Sequence, residues 1–227
     1  MRMTPVRTLL GPDGGTTPGL RLVGILIAAA ALYGASFGLW RGGPQPLWSA
    51  VKMPALLLAV TAAAAPANFL LARALGLAVE AAQVVRALLL AYAVTALLLA
   101  SLAPVFAFAA WTLPGPASAD AQPTCRLLLL LHTAAVGLAG TAGHLRQWRW
   151  LATAARGDVR LATRVFVAWF AVSALAGSEL SWVCSPFLTR PDRELVFLNP
   201  NAFTMNMYEY LWQSLQWGRG DGTCGSN

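Results

Sequence analysis

Five apolar stretches, each long enough to cross a bilayer, take up well over half of this chain: Leu20–Trp40, Ala50–Leu75, Val84–Leu113, Cys125–Leu145 and Thr163–Phe187. A helix rises about 1.5 Å per residue, so about 20 apolar residues cross a hydrocarbon core of about 30 Å. The backbone of such a segment has no water to bond to and must satisfy itself internally, which selects helices. The pattern predicts an all-α fold, a polytopic membrane bundle of five transmembrane helices. Only 11% of the 227 residues are charged, against about 25% in soluble domains. The predicted organisation is a cytoplasmic tail at 1–19, the five-helix domain at 20–187 and an extracytoplasmic segment at 188–227.

The net charge of +7 does not point to nucleic acid, because the basic residues lie between spans and not along one helix face. Their distribution predicts orientation. With the N-terminus inside, ten Lys and Arg fall on the inner side and six on the outer, five of the ten in the stretch His144–Arg164. The positive-inside rule then favours N-terminus in and C-terminus out. Trp40, Trp48, Trp111 and Trp182 fall at predicted outer ends, and Trp148 and Trp150 at an inner end, where indoles suit the headgroup zone. Arg2 and Arg7 before the first span read as an uncleaved signal anchor.

In that topology Cys125, Cys184 and Cys224 lie on or near the outer face, where an oxidising compartment favours a disulfide. Cys184 with Cys125 or with Cys224 is the expected bridge, leaving one thiol over. Small residues are expected to bring helices close: Gly34 and Gly38 in span one, Thr133, Gly137 and Thr141 in span four, and Ser173, Gly177 and Ser181 in span five. Pro54 is read as a first-turn proline of span two, Pro66 as an interior kink beside Asn68, and Pro104 as a break in the long third span. After Pro186, Met205, Tyr208, Leu211, Trp212 and Leu215 recur at spacings of three and four over Asn201–Trp217, predicting an amphipathic helix on the outer face.

Glu179 is the one acid inside a span, about eight residues or roughly 12 Å from the outer end of span five. An unpaired carboxylate there costs several kcal/mol, so it is expected to face the protein interior or a wet cavity. Lys52 and His132 enter from the same side. The expected cluster is Glu179 paired with Lys52, with His132, Ser178 and Ser181 beside it, either an ion pair that fixes helix register or a polar vestibule for an ion or small solute. No HExxH, phosphate loop or Ser–His–Asp spacing occurs, and only His132 and His144 are present. No catalysis, no metal and no cofactor are expected.

The stretch Ala50–Gly76 with its Val-Lys-Met-Pro, the stretch Gly177–Phe187 with Gly-Ser-x-x-x-Trp and Pro-Phe, and the Asn206-Met-Tyr-Glu of the tail resemble a group of uncharacterised bacterial five-span membrane proteins. The outline is also similar to Yip1-type membrane proteins. The resemblance implies a neutral amide at the position of Glu179, so Glu179 is a departure from it. The functional expectation is a small oligomeric channel or permeation subunit for an ion or small solute. Its alternative is a non-catalytic scaffold or accessory subunit, bound to a partner through the outer C-terminal helix. The resemblance implies a bacterial inner membrane as the location, and the expected partners are the lipid bilayer and either further copies of the chain or another membrane protein.

Overall fold

The computed structural model describes residues 19–199 together with Thr204, Asn206, Tyr208 and Glu209. The N-terminal tail, most of the predicted 201–217 helix and Cys224 therefore lie outside the described residues. Five helical spans are present, long and apolar enough to cross a membrane. They comprise α1 (Gly19–Gly38), α2 (Gln45–Ala74), α3 (Ala81–Ser101) continued by α4 (Ala103–Thr112), α5 (Ala121–Ala154) and α6 (Val159–Cys184). The turn at 39–44, the loop at 113–120 and the segment after Cys184 share one end of the bundle, called here the distal end. The connectors at 75–80 and 155–158 share the other, proximal end.

Three boundaries differ from the sequence reading. α2 begins at Gln45, so its first-turn proline is Pro46, and both Pro54 and Pro66 lie inside a continuous helix. The third span breaks at Leu102, two residues before Pro104. Pro104 has no N–H for the ladder, and Val105 and Phe106 both turn back to the Leu102 carbonyl to start a new helix. The basic stretch expected as a loop is mostly helix. α5 runs on to Ala154 and carries Arg146 and Arg149, and α6 starts at Val159 and carries Arg160 and Arg164. A helix has no reason to stop at the hydrocarbon boundary while its residues still favour it. It stops where Arg156 and Gly157 take positive φ and Asp158 caps α6 by accepting from Leu161 N.

The helices form a ring in the order α1, α2, α6, α5, α3, with α3 also touching α2. The third span is the inner one, 61% buried over its central window, against 22% for α5 and for α6. The tightest contact joins α1 to α2. A Cβ on Gly34 would strike the Ser49 backbone, and one on Gly38 would lie 2.7 Å from Pro46 Cα. The intervening turn supplies this geometry, because Gly42 (φ 72°) and Gly43 (φ 57°) take successive left-handed conformations that side chains disfavour. The small face of α5 does the opposite. Gly137 has no atom of the described residues within 4 Å of where its Cβ would be, so the close approach expected there is not made among the described residues. Gly177 makes only an ordinary contact, 3.9 Å to Val60 Cγ2.

Two hydrophobic clusters lie end to end along the bundle. The proximal one gathers around Leu22, Leu26, Leu88, Leu151 and Trp169. The distal one gathers around Tyr33, Phe37, Leu99, Phe106 and Leu128.

Candidate functional site

The densest polar arrangement sits at the distal end of α2. Gln45, Ser49 and Lys52 recur at spacings of four and three, so they share one face of the helix. Gln45 and Ser49 are fully buried and Lys52 is 2% exposed. That face holds the segment that follows α6. Gln45 Nε2 and Ser49 Oγ both donate to the Phe187 carbonyl, at 2.8 and 2.7 Å. Lys52 Nζ donates to the Pro186 carbonyl at 2.8 Å, and Thr189 Oγ1 donates to Gln45 Oε1 at 2.9 Å. The logic is local. The chain leaves α6 at Cys184, and the carbonyls of half-buried Pro186 and buried Phe187 lie outside any helix and need donors. The polar face of α2 supplies them. The result is a clasp that seats Phe187, Leu188 and Thr189, all buried, into the distal end.

This changes the assignment of Lys52. The expected ion pair with Glu179 is not formed. The Lys52 ammonium takes the Pro186 carbonyl and lies 5.0 Å from the centroid of the Phe197 ring, a cation–π geometry. Glu179 is half-buried one turn before the end of α6. The ion pair formed between described residues is Arg190–Asp192, at 3.3 Å in the exposed segment. Ser178 bonds its own helix through the Leu175 carbonyl and meets the Tyr208 hydroxyl at 2.6 Å. Ser181 is half-buried on α6. His132 belongs to a separate aromatic box. Its Nδ1 meets Tyr33 OH at 2.9 Å, and its ring stacks on Phe37 at 4.3 Å with Phe187 at 6.2 Å. Phe106 closes the box edge-on to both Tyr33 and Phe37. The strap residue Phe187 thus joins the clasp to the box, which packs aromatic rings where a vestibule was expected.

Near the segment, Tyr208 and Glu209 are helical and Asn206 exchanges bonds with Glu209. This reciprocal pattern is that of a capping box at a helix start. The cysteines correct a further expectation. Cys125 and Cys184 are both free thiols, so the Cys125–Cys184 bridge is absent. Trp40, expected in the headgroup belt, is buried and donates from Nε1 to the Pro114 carbonyl at 2.8 Å, tying the two distal loops together. Trp111, 85% exposed, does lie on the surface.

The proximal half contains further buried polar groups. Trp169 Nε1 donates to the Asn68 carbonyl at 2.7 Å, and His144 Nδ1 meets Gln147 Oε1 at 2.8 Å. The side-chain amide of Asn68 and Gln147 Nε2 have no hydrogen-bond partner among the described residues. Sequence reasoning missed Gln45 and Ser49, although a signal existed: three polar residues at helical spacing just before and within a span. Placing the start of span two at Ala50 hid it.

Five apolar helices around a packed interior define a polytopic integral membrane protein. No family model, curated protein or solved structure matches the chain.

Proposed function

We propose that the chain is a non-catalytic scaffold or accessory subunit of a membrane assembly. The observation that carries this reading is the use of the polar groups. The distal cluster is spent on holding the chain's own 186–189 segment, and two apolar clusters, interrupted by isolated polar side chains such as Asn68 and Gln147, make up most of the bundle interior. A conducting path needs polar groups to replace hydration along its length, and the buried polar groups of this bundle are scattered among aromatic and aliphatic side chains and form no continuous line. The available surface is outside. α5 keeps an uncovered small-residue face at Gly137, of the kind that lets another helix approach closely in lipid.

A second reading, an oligomeric channel or permeation subunit, is favoured by one feature. Thr133 and Thr141 flank Gly137 on that same exposed face, so several copies around an axis would present hydroxyls to a shared lumen. Purified protein in liposomes separates the two. The scaffold reading expects no ion or small-solute flux above protein-free liposomes, and loss of native-gel assembly on Gly137→Leu with unchanged thermal stability. Flux abolished by Gly137→Leu would overturn it in favour of the channel. The orientation belongs to the same proposal, with the proximal end cytoplasmic. A cysteine in place of Thr153 in the intact bacterium should then resist an impermeant thiol reagent, and free labelling would invert the topology.

A further inference from the structure

An open groove of about 700 Å³ lies at the proximal end between the last turns of α2 and the first turns of α6. Leu71 and Leu75 line it from α2, and Val159, Arg160, Thr163, Arg164, Val167 and Ala168 line it from α6. Arg160, Arg164 and Ala168 are four apart, and Thr163 and Val167 run beside them, so the lining is one continuous face of α6. From Val159 to Ala168 that face is about 13 Å long at the helical rise, close to half of an about 30 Å hydrocarbon core. The groove therefore has the length of one leaflet, with apolar walls toward the membrane centre and cationic groups toward its surface.

The two guanidiniums are placed against the interests of the helix. Cations in the first turns oppose the positive end of the macrodipole, a small cost rather than a gain. They form no ion pair with a described carboxylate. Of the two described acids at this end, Glu80 is engaged in the capping box of α3, and Asp158 has its side chain engaged by Leu161 N, which also removes the bare α6 end as an anion site. Arg73 in the last turn of α2 adds positive charge at the same end. Guanidinium pairs match phosphate geometry through bidentate hydrogen bonds. We propose that this groove seats one anionic glycerophospholipid, its phosphate on Arg160 and Arg164 and one acyl chain along Leu71, Leu75 and Val167. A headgroup with net negative charge fits, because a choline would set a cation against two guanidiniums that no described carboxylate neutralises. The assignment is independent of whether the protein is a scaffold or a channel.

Native mass spectrometry of the full chain released from detergent micelles tests it, with dioleoylphosphatidylglycerol and dioleoylphosphatidylcholine as probes. The wild-type chain should retain one phosphatidylglycerol at concentrations that leave no phosphatidylcholine bound. Arg160→Gln with Arg164→Gln should weaken that retention about thirty-fold, the effect of two surface cations on an anionic headgroup. Val167→Trp, which fills the groove and leaves both charges, should weaken it comparably, and Arg126→Gln should not. Equal retention of the two lipids by the wild-type chain overturns the proposal without any variant. So does full displacement of the lipid by inorganic phosphate, or a Val167→Trp chain that keeps its lipid.

Discussion

Gln45→Leu is the substitution that most directly tests the distal clasp. Leucine fills nearly the same volume, so the effect is polar and not a cavity. The change removes the 2.8 Å bond to the Phe187 carbonyl and the acceptor of the 2.9 Å bond from Thr189. It also removes a longer bond to Ser49 Oγ at 3.3 Å. Phe187 keeps its bond from Ser49, so its carbonyl is not orphaned. Thr189, 2% exposed, is left with a stranded hydroxyl. A lost hydrogen bond costs about 1 kcal/mol net, and a stranded buried group about 1–3 kcal/mol. The expected destabilisation is therefore about 2–4 kcal/mol, about 30- to 900-fold in the unfolding equilibrium. Reversible unfolding in mixed micelles measures the whole, and amide exchange at 187–189 measures the local opening. Adding Thr189→Val removes the stranded hydroxyl, so the double variant should recover about 1–2 kcal/mol of the loss. A Gln45→Leu protein within about 0.5 kcal/mol of wild type, or a double variant that is worse by simple addition, would refute the clasp as an energetic unit.

Lys52→Met should be nearly neutral, within about 1 kcal/mol. A charged hydrogen bond of about 1.5–3 kcal/mol and a desolvated cation–π contact of about 2 kcal/mol offset a burial cost of several kcal/mol. A loss above about 3 kcal/mol in the same micelle titration would show an unrecognised counter-charge on the ammonium. Gly34→Ala should cost about 1–3 kcal/mol, because the new methyl meets the Ser49 backbone and neither helix can yield. Gly24→Ala in the same helix meets nothing within 4 Å and should leave the unfolding midpoint at or above wild type. In the exposed segment, a hydrogen bond from the Gln122 side chain, aided by Arg190 and Arg193, holds the Asp192 carboxyl below its ordinary value. A depressed folded pKa gives a contribution that is complete above the unfolded value and lost as pH falls through the folded one. Gln122→Ala should raise the Asp192 pKa toward the ordinary aspartate value in a carbon-13 carboxyl titration, and an unmoved pKa would sink that assignment.

The sequence by itself determined that the chain spans a membrane five times as helices. That information is local, because length and hydrophobicity are properties of each segment alone. The Gly34–Gly38 spacing likewise marked a face on which another backbone lies. Partners were another matter. Lys52 and Glu179 share a depth and opposite charge, and sequence pairs them on that basis. In the structure the 185–189 segment folds back over α2, and the nearest acceptor for the ammonium is the Pro186 carbonyl. Identical small-residue spacing in α1 and α5 gives a tight contact at Gly34 and an open face at Gly137. Which side of a helix meets a neighbour depends on the rotation of both helices, set by every other contact in the ring. His132 shows the same limit. Its depth was legible in the sequence, while the rings around it come from two other segments, Tyr33 and Phe37 on α1 and Phe187 after α6, that only tertiary packing brings to α5.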